Sequence, residues 1–183
     1  MPTDFASAYL DEARRSFRGH KRLAEGAIAQ LSDDQLFHQL DPEANSIAIV
    51  MKHISGNQRS RFTDFLTSDG EKPDRHRDTE FEMPARPARE ELMRTWEEGW
   101  QRVFGALDSL HPADFSRSIP IRGEPHTIIQ ANRQVAHYAY HVGQIVLLAK
   151  HLRGPEWKTL SIARGQSTQF EKKAIGKLGM QEK

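Results

Sequence analysis

Cysteine is absent from the 183-residue chain. That excludes disulfides, thiolate metal sites, iron–sulfur clusters and cysteine nucleophiles, and it fits a reducing compartment. Long apolar runs are missing as well. No segment approaches the ~20 apolar residues of a membrane-spanning helix. The opening stretch, residues 1–17, carries acids where a secretory leader would have a basic start and an apolar core. A soluble, cytoplasmic protein with no membrane partner is expected. A large charge imbalance is also lacking: 26 Lys and Arg stand against 25 Asp and Glu, for a formal net charge of +1. A nucleic-acid-binding face shows as a basic excess, so no nucleic-acid partner is expected.

What the chain does have is helical periodicity. Apolar residues recur at mostly helical spacing over residues 4–31, from Phe5, Tyr9 and Ala13 to Leu31. A second stripe runs through Ile47, Val50, Met51, Ile54, Phe62 and Phe65 and closes near Asp69-Gly70, with Asn45 or Ser46 as its cap. Residues 71–88 are polar and rich in Pro, Asp and Arg, which reads as a surface loop. A third stripe spans residues 87–110 and a fourth residues 127–152, the latter stopped by Gly154-Pro155. Between them, residues 115–124 suit either a small hairpin or an extended arm. Trp96 and Trp100, four residues apart, read as core packing before substrate stacking. The expected fold is all-α, a four-helix bundle over residues 1–154. A tail, residues 155–183, packs on the bundle or on a partner subunit through Trp157, Leu160, Ile162 and Phe170.

Nine histidines are present. His137 and His141 lie one turn apart on one face of the fourth helix, so two imidazoles can meet a single ion. A solvated or half-buried pair is the competing reading. Tyr138 stands where a His-Glu-x-x-His metalloprotease has its glutamate, so that mechanism lacks its base. His53, beside the apolar stripe of the second helix, is the candidate third ligand, against the alternative of a hydrogen-bonded interhelical histidine.

Two segments, Met51-Lys52-His53-Ile54-Ser55-Gly56-Asn57 and His137-Tyr138-Ala139-Tyr140-His141-Val142-Gly143-Gln144-Ile145, resemble the DinB/YfiT-like metalloenzyme superfamily. The stretch Trp157 to Ser167, with its Leu-Ser-Ile-x-Arg-Gly run, is similar to the C-terminal segment of one subgroup of unknown function. The resemblance implies a DinB/YfiT-like four-helix bundle with a C-terminal extension. It also implies one divalent metal ion on His53, His137 and His141, and a homodimer. Some members use low-molecular-weight thiols as transferases or isomerases, which implies a small-molecule thiol and an electrophile as partners.

Three neutral histidines leave open positions on the ion, suited to a thiol-dependent S-transferase or a related hydrolase. Imidazole ligands and cellular availability favour zinc or nickel. Asn57, a turn after His53, and Gln144, three residues after His141, are candidates to orient a ligand or a bound water; plain interhelical hydrogen bonding is the alternative for both. Arg59, Arg61 and Arg133 are candidates to receive a carboxylate of an anionic thiol, with surface ion pairing as the simpler role. No acidic base stands in the matched segments. The alternative function is a non-catalytic, metal-binding stress-response protein or a dimeric interaction protein.

Overall fold

The computed structural model describes residues 4–128 and 131–169. Five α-helices and one two-stranded hairpin are present among them: α1 (Phe5–Ile28), α2 (Asp33–Phe37), α3 (Ile47–Phe62), α4 (Arg89–Asp108), β1 (Ser118–Ile121), β2 (Glu124–Thr127) and α5 (Ala131–Arg153). The all-α expectation holds. The four long helices form the bundle, with α3 against α4 and α5, and α1 against α5 and α4. None of the described helices is long and apolar enough to cross a membrane.

Local chemistry sets the helix starts. The Asp4 carboxylate accepts from the backbone N–H groups of Ala6 and Ser7 and opens α1. Ser32 and Gln35 form a reciprocal capping box at α2. Ser46 accepts from the Ile49 N–H and opens α3. Amphipathic α1 and α4 each bury one face, whereas α3 is buried around most of its circumference, because α2, α4, α5 and a 3₁₀ turn at Asp78–Phe81 all pack on it. Polar Ser55, Asn57, Gln58 and Ser60 are therefore interior residues, and so is His53.

An aromatic cluster fills the centre. Tyr138 on α5 lies 5.6 Å from Phe17 and 5.8 Å from Trp100, centroid to centroid, and Trp96 meets Trp100 edge-on at 5.5 Å. Both tryptophans are fully buried in the core.

Two boundaries differ from the sequence pattern, and the open choice between hairpin and extended arm resolves to the hairpin. Helix α3 stops at Phe62, not near Asp69-Gly70: Thr63 is extended and Asp64 adopts a left-handed φ of 49°. Phe65 and Leu66 still pack on the core from the turn that follows. The stretch between α4 and α5 is a hairpin, in which Arg122 and Gly123 make a two-residue turn with φ of 57° and 77°. Thr127 belongs to β2, and α5 begins at Ala131.

Residues 71–88 are also more than a surface loop. They fold back over α3, where the Lys52 ammonium donates to the backbone carbonyls of Thr79 and Glu82 at 2.6 and 2.7 Å, and Glu80 becomes buried. After α5, Trp157 and Leu160 pack against the core, and the Gln30 amide both donates to and accepts from the backbone of Lys158. Ile162 is exposed, and Phe170 lies outside the described residues.

Candidate metal centre

Adjacent helices bring the three candidate histidines together. His53 comes from α3, and His137 and His141 from successive turns of α5. The Nε2 atom of His137 stands 3.2 Å from Nε2 of His53 and 3.0 Å from Nε2 of His141. A potential ligand atom from each of the three lies within 4.8 Å of the others, and no other such group occurs among the described residues. Metal–nitrogen bonds of about 2.0–2.1 Å, opened at octahedral to tetrahedral angles, place neighbouring nitrogens roughly 2.8–3.4 Å apart. The two observed separations fall in that span.

The other ring nitrogens explain why the Nε2 atoms converge. His53 Nδ1 lies 2.8 Å from Oε2 of Glu80, His141 Nδ1 lies 2.8 Å from the side-chain oxygen of Gln144, and His137 Nδ1 lies 3.3 Å from that of Gln134. A carboxylate or an amide oxygen only accepts, so each neutral ring carries its proton on Nδ1 and presents a lone pair at Nε2. In those tautomers three lone pairs face one point, where a cation would relieve their mutual repulsion, so the donor set fits a divalent ion.

Burial favours the neutral form of the two histidines on α5. Burial, reinforced by His141 and His53, pushes His137 down to about 4. Burial also lowers His141, outweighing the hydrogen bond to Gln144. Glu80 behaves oppositely. Burial works against its charge, yet the bonds from His53 and Arg75 prevail and hold its carboxyl below the usual carboxylate range. Arg75, its side chain only 3% exposed, donates from Nε to Oε1 at 2.8 Å and from a terminal nitrogen to Oε2 at 3.0 Å.

Around the rings, Phe81 stacks on His53 at 4.5 Å and 29°, and the Arg77 guanidinium lies 5.1 Å from the Phe81 centroid. Tyr140, largely exposed, meets His141 edge-on at 4.9 Å.

Residues 4–166 match a family described as "Protein of unknown function (DUF1572)". The chain belongs to this family. No curated protein and no solved structure is detectably similar to it.

In this DUF1572 protein the other sequence candidates have separate fates. Gln144 touches the site through His141. Asn57 accepts from the Tyr138 hydroxyl at 2.9 Å, a buried bond between α3 and α5. Arg59 pairs with Asp74 and Arg61 with Glu71, while Arg133 is exposed on α5. Glu80, Arg75, Phe81 and Gln134 were not anticipated. Gln134 had a signal, since Gln three before His137 mirrors Gln three after His141. Glu80 is 27 residues from His53, and nothing local in the sequence announces it.

Proposed function

We propose that the protein binds one divalent metal ion, zinc or nickel, through His53, His137 and His141, and uses it in a thiol-dependent S-transferase or related hydrolytic reaction. The observation that carries this reading is the convergence of three lone-pair nitrogens whose opposite ring nitrogens all face acceptors. The likeness of the histidine segments to the DinB/YfiT-like superfamily supports it further, and we take DUF1572 as a branch of that superfamily.

When bound, a divalent ion supplies Lewis acidity and lowers the pKa of a coordinated thiol or water. His53, His137 and His141 would hold it as uncharged ligands and would leave room for a substrate atom. Glu80 has both oxygens engaged by Arg75 and His53, so it is not free to act as a base toward substrate. That favours a thiol over water as the nucleophile, because a thiol with an ordinary pKa near ~8.5 loses its proton with less assistance. Arg77 beside Phe81 offers a positive charge to an anionic thiol.

A cytoplasmic homodimer is part of the proposal. Tyr140 and Leu147 are the large exposed apolar residues of α5, with exposed Gly143 between them, and a second copy would cover them beside His141.

The test is cobalt-substituted protein titrated with a low-molecular-weight thiol. A new near-ultraviolet sulfur-to-metal band, followed by thiol consumption when an electrophile is added, is expected. An unchanged spectrum and no turnover with a panel of thiols would remove the transferase reading.

A further inference from the structure

We infer that Glu80 is the positioning residue of the metal centre: it fixes the proton of His53 on Nδ1, aims Nε2 at the ion, and is itself held in place by Arg75 and Gly56. The inference rests on the metal-binding reading and adds to it a residue and a mechanism of assembly.

The geometry is specific at each step. Oε2 of Glu80 receives the His53 Nδ1–H at 2.8 Å and a guanidinium N–H of Arg75 at 3.0 Å, while Oε1 receives a second N–H of Arg75 at 2.8 Å. The carboxylate thus sits on the side of the imidazole away from Nε2, where it orients the ring without coordinating. Arg75 is shared with Glu71 at 3.2 Å, and Glu71 with Arg61 at 3.0 Å, so the pair is tied back to α3 by a chain of charges. Phe81, the next residue, covers the face of the same His53 ring. Lys52, the residue before His53, pins the turn that carries both. Gly56, the residue a turn after Lys52, removes the side chain that would exclude the carboxylate.

These contacts have one consequence for binding. A ring held by a carboxylate is a stronger donor at its other nitrogen. Because Arg75 neutralises the Glu80 charge, the carboxylate acts through the His53 ring and not as a free counter-charge. His137 and His141 have only amide partners.

Two variants and two readouts test the inference. Glu80→Ala removes the acceptor; Glu80→Gln keeps the shape and one acceptor oxygen but removes the charge. In metal-free protein, two-bond proton–nitrogen correlation spectra report the His53 tautomer, and a buried residue that merely packs would leave it unchanged. Wild type is expected to show Nδ1–H, and Glu80→Ala a mixture of tautomers. Competition with a chromophoric chelator reports affinity, expected to fall about tenfold or more in Glu80→Ala and by less in Glu80→Gln. Folding of both is checked by circular dichroism, and Glu80→Gln carries the test if Glu80→Ala does not fold. Wild-type affinity in the folded variants, or an unshifted His53 tautomer in Glu80→Ala, would overturn the inference. A wild type that takes up no metal would instead overturn the metal reading.

Discussion

Gly56 on α3 and the carboxylate of Glu80 are in direct contact: a β-carbon at Gly56 would stand 2.3 Å from Oε1 of Glu80 and 2.7 Å from its carboxyl carbon. Glycine inside a helix ordinarily costs ~1 kcal/mol against alanine. Here the clash outweighs that gain. Gly56→Ala is expected to lower the melting temperature and weaken metal binding together, measured by thermal melts with and without added zinc. A simple stabilisation would mean that Glu80 can move aside freely.

The two glutamines should matter unequally. Gln144 meets His141 Nδ1 at 2.8 Å, and Gln134 meets His137 Nδ1 at 3.3 Å. Loss of a partner that orients a metal-bound histidine weakens metal affinity by about 10–100-fold. Chelator competition is expected to show the larger loss in Gln144→Ala and the smaller in Gln134→Ala.

Tyr138→Phe is expected to separate stability from metal binding. It deletes the buried hydroxyl that donates to Asn57 and leaves that amide oxygen without a partner. Such a loss costs about 1–3 kcal/mol. Denaturant melts should show it, while the metal content of the folded variant stays that of wild type.

Asp69 gives a pH dependence away from the metal. Its carboxylate accepts from the backbone N–H groups of Glu71, Gly123 and Arg122, and these bonds, the first two most strongly, hold its pKa below the usual 3.8. The folded pKa is depressed, so the unfolded chain binds more protons at low pH. The contribution is complete well above 3.8 and disappears as pH falls through the lower folded value. Asp69→Asn is therefore expected to cost on the order of 1 kcal/mol near neutrality, after allowance for solvent screening. The difference from wild type should shrink in denaturant melts taken toward pH 3.

Much of this was legible in the chain. Helical periodicity gave the four long helices, because each buries a stripe that repeats with the helix. The spacing of His137 and His141 placed them on one face of α5. The extent of α3 was not legible, since Phe65 and Leu66 remain apolar and pack on the core after the chain has left the helix at Thr63. The role of residues 71–88 was hidden for a different reason. Their composition is that of a solvated loop, and only the fold pairs Arg75 with Glu80 and brings both to His53. Asn57 lay on the expected side of α3, but its partner is a tyrosine hydroxyl from the facing helix.

The metal content of untagged protein, measured by mass spectrometry for wild type and for His53→Ala, His137→Ala and His141→Ala, tests the central claim most directly. The account predicts about one divalent ion per chain in wild type and its loss in each folded variant. Wild type that carries little metal and takes up none when zinc or nickel is added would contradict it.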